Sequence, residues 1–307
     1  MKVLLAVAGH ALRSSTTRSA AMNTQMNYTP QQQMGCDSYS VPCRVGNWAE
    51  DEYIGALMTA DHMAKAQSGM LSSQKLQATV GAALAPAELS TAHPDGMLRF
   101  GDAVMLSNAQ GGVLAANPYS RKELSQMAFE VSRTPDETPR KRTCFSIVPY
   151  GDAPADGLLR FGMPFMLVAK GDGDDDLYLQ SMRYTIANMN FSRSVRGAER
   201  KQGVSMVLEP SWQVAWEVVL LNPMELEQLR SEGQPVPANT YLALRHKSTQ
   251  TNLCSDTEIV RNQYGTECEV SGFTDVEVTK SEWGIRNSQG VGPSNHWAFT
   301  TAAPPDA

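Results

Sequence analysis

The amino-acid sequence predicts a mainly β protein whose central domain is β-trefoil-like and consists of three four-stranded repeats. The stretch Leu98-Arg-Phe-Gly-Asp-Ala-Val-Met-Leu106 returns as Leu159-Arg-Phe-Gly-Met-Pro-Phe-Met-Leu167 and, more weakly, as Val236-Pro-Ala-Asn-Thr-Tyr-Leu-Ala-Leu244. Each copy continues into a polar turn and a second short apolar stretch, and each repeat ends on an aromatic-bearing segment. Because one such unit cannot bury its own apolar face, we expect the three copies to close against one another.

Changes in composition divide the 307-residue chain into four segments. We expect an extended polar arm over 1–43, a helix and connector over 44–95, the β domain over 96–301 and a short tail over 302–307. Within the β domain, the three repeats are expected to cover about 96–150, 157–220 and 235–301. A chain of this length can bury a full core as one large domain or two small ones.

The N-terminal arm is polar and has no acidic side chain in its first 36 residues. This composition is shared with organelle transit peptides. A segment with so few apolar residues does not form a core of its own. We therefore expect a binding partner to order the arm, with an intramolecular wrap over the β domain as the alternative.

A helix is expected directly after the arm. Asn47-Trp48-Ala49-Glu50 has the pattern of an N-cap residue followed three positions later by a capping Glu, and Gly69 is a plausible stop, so the helix should cover 48–67. Its apolar stripe, expected to dock onto the core of the domain itself, consists of Trp48, Ile54, Leu57, Met58, Met63 and Ala64. The Ala- and Pro-rich stretch from Gly81 to Gly96 is expected to be a connector with one helical turn.

The first strand of each repeat shows the period-two pattern of a β-strand. In the first repeat, one face would carry Phe100, Asp102, Val104 and Leu106, and the other Arg99, Gly101, Ala103 and Met105. The glycine of the first two copies, Gly101 and Gly162, is replaced by Asn239 in the third. Since Asn tolerates left-handed backbone geometry better than most residues, the same turn is expected there.

The last strand of each repeat is expected to supply large aromatic side chains to the core. These closing strands are predicted at Cys144–Val148, Trp212–Trp216 and His296–Phe299. Further apolar runs, including Val204–Leu208 and Glu267–Phe273, bring the total to about twelve strands. Two inserted helices are also expected, one capped by Ser120 with Glu123 and one framed by Asn222, Pro223 and Gly233.

The overall charge argues against two classes of partner. With 26 Lys and Arg against 32 Asp and Glu, the formal net charge is −6. Nucleic-acid binding and binding to anionic membranes both depend on basic surface, so neither partner is expected. The five cysteines form no C-x-x-C pair, which leaves a zinc ribbon unsupported and favours a reducing compartment.

The sequence contains no convincing catalytic, metal or cofactor site. Asp172, Asp174 and Asp176 resemble the start of a calcium loop, but Leu177 stands where that loop needs Gly, and Arg183 stands where it needs Glu. We therefore expect a solvated hairpin loop there. The histidines, expected to be structural, are His10, His62, His93, His246 and His296. Nucleophile-elbow, phosphate-loop and dinucleotide-binding motifs are missing, so the chain is not expected to be an enzyme.

A proline-bracketed basic loop runs from Arg133 to Arg142 and contains Thr134-Pro135 and Thr138-Pro139. Such a loop is usually solvated, and the alternative is contact with an acidic partner surface. A second basic cluster, which slightly favours that alternative, consists of Arg193, Arg196, Arg200 and Lys201.

Several segments resemble one known family. They are Arg44-Val-Gly-Asn-Trp-Ala-Glu-Asp-Glu-Tyr53, Gly96–Asn108, Pro235–Asn239 and Pro293-Ser-Asn-His-Trp297, which occur in that family in the same order. Between about Arg44 and Thr301 the chain resembles the cilia- and flagella-associated protein 161 family, and its repeat looks like the MIR type of β-trefoil.

The resemblance implies a non-enzymatic microtubule inner protein of the axoneme. Such a protein would bind the luminal wall of the A-tubule of doublet microtubules, contact tubulin and neighbouring inner proteins, and stabilise the axoneme for motility. The resemblance assigns neither the arm nor individual partner-binding residues. The alternative is a carbohydrate- or ligand-binding β-trefoil, since one fold serves many functions.

Overall fold

The computed structural model describes the backbone of residues 48–121, 128–171, 175–183, 185, 191–196, 199–221, 225–280 and 286–303. The chain divides into two compact units, the first ending at Leu71 and the second starting at Ser72. The predicted arm over 1–43 and most of the tail lie outside the described residues.

The described part of the first unit is helix α1, Trp48–Gln67, which confirms the helix expected there. Gly69 follows with a φ of +71°, and the Met70 N–H donates to the Lys65 carbonyl at 2.8 Å, which ends the helix. The docking expected of its apolar stripe stays a prediction. Four large side chains of the stripe are between 46 and 69% exposed, and they are Ile54, Leu57, Met58 and Met63.

The second unit begins with a helix that the sequence did not reveal, α2, Ser72–Ala83. Its Ala- and Gln-rich residues favour a helix but have little apolar periodicity, so only composition could have indicated it. The end of α2 is held by the β domain, because the Arg142 N–H donates to the Ala83 carbonyl at 3.2 Å. The Lys141 N–H donates to the Ala85 carbonyl at 2.9 Å.

The β domain contains fifteen strands in its described part, three more than expected. They are β1 Ala103–Asn108, β2 Val113–Arg121, β3 Ala128–Thr134, β4 Phe145–Pro149, β5 Phe165–Lys170, β6 Asp176–Ser181, β7 Phe191–Arg196, β8 Glu199–Val207, β9 Trp216–Val219, β10 Tyr241–His246, β11 Leu253–Asn262, β12 Gly265–Gly272, β13 Val276–Lys280, β14 Arg286–Val291 and β15 Trp297–Thr300. The additional strands are β7 and the β13–β14 hairpin, which lengthen the second and third repeats.

The first and last strands of the three repeats form a closed antiparallel ring. The pairing runs from β1 to β4, β5, β9, β10 and β15 and returns to β1. The remaining strands form the hairpins β2–β3, β6–β8 and β11–β12. These hairpins also pair with one another, through β3–β8, β8–β12 and β12–β3, so both layers repeat three times.

A cycle of backbone hydrogen bonds joins the segments that precede the first strands. The Leu98 N–H donates to the Val236 carbonyl at 2.9 Å, the Val236 N–H to the Leu159 carbonyl at 2.9 Å, and the Leu159 N–H to the Leu98 carbonyl at 3.0 Å. All three side chains are fully buried. Each repeat is therefore bonded directly to both others at the centre of the domain.

The turn after this cycle has the same geometry in all three repeats. Gly101, Gly162 and Asn239 have φ angles of +96°, +74° and +56°, which confirms the turn expected at Asn239. Each donates its N–H to the closing strand region of a repeat, and the acceptors are the carbonyls of Ile147, Val218 and Phe299 at 2.8, 3.1 and 2.9 Å.

The aromatic core residues confirm two closing strands and correct the third. The Trp297 indole N–H donates to the Leu253 carbonyl at 3.0 Å, and the Trp216 indole N–H donates to the Leu179 carbonyl at 2.8 Å. Trp216 therefore corresponds to Trp297, whereas Trp212 lies in a short 3-10 turn and is 61% exposed. The two tryptophans are four residues apart, and the predicted strand at Trp212–Trp216 began too early.

The two inserted helices have different outcomes. Ser120 lies in strand β2, so it does not cap a helix as predicted, and Glu123 lies outside the described residues. The second helix is confirmed as α3, Glu225–Ser231, and Gly233 follows it with a φ of +79°. Its expected N-terminal residues, Asn222 and Pro223, lie outside the described part of the chain.

A buried ion pair connects the first and third repeats. The Arg142 guanidinium donates to the two Glu267 carboxylate oxygens at 2.6 and 3.0 Å, and both side chains are at most 3% exposed. Glu267 also accepts from Ser132 Oγ at 2.5 Å and Asn262 Nδ2 at 2.6 Å. The Tyr264 ring covers the guanidinium at 3.8 Å. Burial raises the pKa of Glu267, but Arg142 and these other donors more than offset it, so the pKa lies below its usual value.

We predict that Trp297→Ala destabilises the domain by about 3 to 5 kcal/mol, because it empties a fully buried aromatic site. Trp212→Ala is the matched control and should change the free energy of unfolding by no more than about 0.5 kcal/mol, since that side chain is mostly exposed. Urea unfolding measures both. Equal losses in the two variants would contradict the assignment of Trp297 to the core.

We also predict that the Arg142–Glu267 pair stabilises the fold in a pH-dependent way. Because the folded-state pKa of Glu267 lies below its unfolded value of about 4.3, the contribution is present above that pH and is lost as the pH falls through the folded-state pKa. Glu267→Gln leaves Arg142 buried without a counter-charge and should cost about 3 to 5 kcal/mol at pH 7, with a smaller cost in acid.

The control for this prediction is Asp176→Asn, which breaks the exposed pair of Asp176 with Lys170 and should cost about 0 to 1 kcal/mol. Urea unfolding between pH 7 and about pH 3 compares the variants with the unchanged chain. If the difference between Glu267→Gln and the unchanged chain stayed constant with pH, the charge on Glu267 would not be the source of the stabilisation.

Candidate interaction surface

Strands β5 and β6, which flank the acidic stretch in the sequence, pair with each other as the expected hairpin requires. Asp175 and Asp176 are exposed, and Asp176 accepts from Lys170 Nζ at 2.7 Å. The Gly171 N–H closes the turn on the Asp175 carbonyl at 2.7 Å. Asp172 and Asp174 lie outside the described residues. Within the described residues, no group of three or more His, Cys, Asp and Glu side chains could hold a metal ion.

The described histidines of the β domain make individual structural contacts. His93 Nε2 lies 3.1 Å from Asp102 Oδ1. Asp102 Oδ2 accepts from the Arg99 N–H at 2.8 Å and so closes the turn that precedes β1. His296 Nε2 lies 2.9 Å from the Val291 carbonyl, at the base of the β13–β14 hairpin. His62 lies in α1, and His10 lies outside the described part.

The basic loop is not simply solvated, because its arginines bind the domain itself. Arg133 donates to the Gly111 carbonyl at 2.9 Å, Arg140 donates to the Leu84 carbonyl at 3.0 Å, and Arg142 is the buried partner of Glu267. The expectation of a solvated loop is therefore wrong for Arg142, which is buried, whereas Arg133 and Arg140 are partly exposed.

Of the four side chains in the second basic cluster, the structure describes one, Lys201. Lys201 is 5% exposed, and its Nζ lies 5.1 Å from the centre of the Phe273 ring. The side chains of Arg193, Arg196 and Arg200 lie outside the description. Lys201 therefore belongs to the interior and does not contribute to a basic surface.

Two cysteines of the β domain, Cys144 and Cys254, do not have the features of a nucleophile. Burial raises the pKa of the Cys144 thiol to about 11, so this group stays protonated at neutral pH. Cys254 is buried, and Cys268 Sγ accepts from Arg133 at 3.2 Å.

The turn before β9 presents the most exposed tryptophan of the described chain. The 3-10 turn Trp212–Val214 is capped by Ser211, whose Oγ accepts from the Gln213 N–H at 3.2 Å. Leu208, Pro210 and Trp212 are exposed along this segment, and Trp212 is 61% exposed. We call the stretch Leu208–Trp212 the Trp212 turn.

His246 holds the backbone directly after the Trp212 turn, through the carbonyl of Gln213. The ring of His246 packs on Trp216 with 4.9 Å between ring centres, and its Nε2 lies 2.8 Å from the Gln213 carbonyl. Since a carbonyl only accepts, Nε2 carries the hydrogen and Nδ1 can accept from the Thr249 hydroxyl at 2.8 Å. Burial lowers the pKa of His246, which favours this neutral form.

The geometry of the Trp212 turn suits binding to another protein. An exposed indole brings a large apolar surface, and an anchored backbone lowers the entropy lost on binding. Sequence reasoning missed this residue because it placed Trp212 inside a core strand. The Pro210-Ser211 pair just before it could have indicated a turn.

The first unit carries a second exposed apolar surface. Tyr53, Ile54, Leu57 and Met58 lie on adjoining positions over two turns of α1 and are 46 to 69% exposed. We call these four side chains the α1 face. Among the described residues, neither this helix nor any other has the length and apolar character needed to cross a bilayer.

The chain is similar to curated proteins from vertebrates. It is 28% identical over 291 residues to cilia- and flagella-associated protein 161 of Bos taurus, with 88% of this chain and 84% of that protein covered. It is 28% identical over 287 residues to the Danio rerio protein of the same name, with 87% and 89% covered. Among solved structures it is similar to the SDF2-like protein from Arabidopsis thaliana, with a TM-score of 0.49, 12% identity and coverage of 68% of this chain and 99% of that one.

The model of one family matches most of the β domain. It is described as a cilia- and flagella-associated protein 161-like domain and matches residues 113–288, which is more than half of the chain. This range starts at β2 and ends within β14, so it includes the outer hairpins, the Trp212 turn and α3. The chain therefore belongs to the cilia- and flagella-associated protein 161 family.

Proposed function

We propose that this chain is a structural, non-enzymatic microtubule inner protein of ciliary and flagellar doublet microtubules. It would bind the luminal wall of the A-tubule, through tubulin and neighbouring inner proteins, and stabilise the axoneme for motility. The observation that carries the proposal is the family match over residues 113–288, since members of this family are named for association with cilia and flagella.

The architecture is consistent with this role. The six-stranded ring, the three paired hairpins and the hydrogen-bond cycle among Leu98, Leu159 and Val236 support a β-trefoil, and the MIR type is proposed from the sequence resemblance. A closed body of this kind can act as a rigid spacer between neighbouring subunits.

Two surfaces are proposed to make the partner contacts. The Trp212 turn offers a rigid aromatic anchor on the β domain, and the α1 face offers a helical apolar surface on the first unit. Several modest contacts made at once by one chain give stronger retention than any contact alone. The N-terminal arm is proposed as a further contact on compositional grounds.

A carbohydrate-binding β-trefoil is a second candidate, because the exposed Trp212 indole is the kind of surface that stacks on a sugar ring. The aromatic residues that the repeats share, Phe145, Trp216 and Trp297, are fully buried and would not be available to a sugar. Saturable binding on a glycan array, lost in Trp212→Ala, would favour this candidate.

The proposed location can be tested in motile cilia of a host that lacks its own family member. Re-expressing this chain with a small tag should add density inside the A-tubule in averaged tomograms of doublet microtubules, at a regular axial repeat. The tag should remain with the microtubules after the membrane and soluble matrix are extracted. Recovery of the tag in the membrane or matrix fractions would contradict the proposal.

The Trp212 turn yields a specific prediction in the same host. We expect Trp212→Ala to release the chain from axonemes at a lower salt concentration than the unchanged chain, because it loses a rigid apolar anchor. Leu229→Ala is the control, since Leu229 lies on α3 and is 69% exposed but belongs to neither proposed surface. Quantitative blotting of salt extracts measures both. Equal release of the two variants would exclude the Trp212 turn from the interface.

A further inference from the structure

The loop between β3 and β4 contains two threonine-proline pairs, and the structure separates them. Thr134 is the last residue of β3, pairs with Val113 and is 5% exposed. Thr138 is exposed, as are Glu137 and Pro139 on either side of it. An enzyme that modifies a threonine hydroxyl could therefore reach Thr138 in the folded chain but not Thr134.

The sequence around Thr138 has the features that a proline-directed protein kinase selects. Pro139 follows the hydroxyl-bearing residue, and a proline leaves no backbone N–H to satisfy in the kinase pocket at that position. Lys141 supplies a positive charge at the third position, where many such kinases prefer one. Thr134 is instead followed by Pro135, Asp136 and Glu137, so its third position carries a negative charge where the kinase prefers a positive one.

A cation already lies on the Thr138 hydroxyl. Arg140 Nε donates to Thr138 Oγ1 at 2.9 Å and to Asp136 Oδ2 at 2.8 Å, while Thr138 Oγ1 donates to Asp136 Oδ1 at 2.6 Å. A guanidinium in this position can bind phosphate oxygens through charge-assisted hydrogen bonds.

We propose that Thr138 is a phosphorylation site for a proline-directed protein kinase, and that Arg140 binds the phosphate once it is formed. In the reaction, Thr138 Oγ1 attacks the γ-phosphorus of a nucleoside triphosphate. The bond between that phosphorus and the β-phosphate oxygen breaks, a nucleoside diphosphate leaves, and the hydroxyl proton passes to the base of the kinase.

The phosphate would rearrange the contacts around Asp136. It carries about −1.5 to −2 charges at pH 7, so it repels the neighbouring carboxylate and attracts Arg140. The Thr138 hydroxyl, which is the largest contributor to the lowered pKa of Asp136, would no longer donate to it.

This rearrangement reaches the segment that follows α2. Arg140 also donates through Nη1 to the Leu84 carbonyl at 3.0 Å, and the Ala87 N–H donates to the Pro139 carbonyl at 3.2 Å. Phosphate oxygens on Thr138 would compete with the Leu84 carbonyl for the donors of the Arg140 guanidinium. Where they take Nη1 as well as Nε, phosphorylation of Thr138 loosens the connection between the end of α2 and the β domain.

The site can be tested with the folded full-length chain, a proline-directed kinase, and magnesium with ATP. The sequence has one further threonine-proline pair, Thr29-Pro30, so every chain in this test carries Thr29→Ala. In that background, we expect mass spectrometry to find a phosphoryl group on Thr138 both with and without Thr134→Val. Addition of Thr138→Ala should leave no phosphoryl group. Since Thr138 is exposed, this variant should fold normally, and its urea unfolding curve checks this. Labelling of Thr134, or of Thr138 only after the chain is denatured, would overturn the proposal.

The role of Arg140 has its own test, by phosphorus NMR of the phosphorylated chain. If Arg140 binds the phosphate, the apparent second pKa of phosphothreonine should be lower in the unchanged chain than in Arg140→Gln. Backbone hydrogen exchange at Ala87 should become faster after phosphorylation of the unchanged chain. Equal phosphate pKa values in the two chains would remove Arg140 from the site while leaving the phosphorylation of Thr138 intact.

Discussion

The hydrogen-bond cycle among Leu98, Leu159 and Val236 is the constraint on which the β domain depends. Each residue donates its N–H to one of the other two and accepts through its carbonyl from the remaining one, so no repeat can shift without breaking two bonds. All three residues are fully buried, where an unpaired backbone group would be costly. The cycle therefore places equivalent residues of the three repeats side by side at the centre of the domain.

The strand pairing follows from this equivalent placement of the three repeats. Directly after the cycle, each chain segment turns through a residue with positive φ and donates to a closing strand, which positions the first strand of every repeat in the ring. The indole N–H groups of Trp216 and Trp297 then bind the carbonyls of Leu179 and Leu253 and connect the ring to the outer hairpins. In the first repeat the smaller Phe145 occupies the corresponding strand, so the three repeats share their backbone more strictly than their side chains.

Sequence reasoning succeeded where the pattern was repeated or locally encoded. The repeats revealed the shared turn even where Asn239 replaces Gly, and capping signals identified α1 over 48–67. It failed where local preference was weak or ambiguous. Helix α2 lacks an apolar stripe, and Trp212 and Trp216 could each have begun the closing strand. The pairing of Arg142 with Glu267 could not be foreseen, because 125 residues separate them and the fold alone brings them together.

The same division explains why no site could be read from a motif. The residues that the repeats share are buried and serve the fold, whereas the exposed features occur once each: the Trp212 turn, the α1 face and the loop that carries Thr138. A feature that occurs once has no internal copy with which it can be compared, so its role depends on the exposure and contacts that the folded chain gives it. Within the β domain, an internally symmetric core thus holds the Trp212 turn and the loop that carries Thr138 in a fixed arrangement. A protein that contacts different neighbours on different sides, as proposed for this chain, requires such an arrangement.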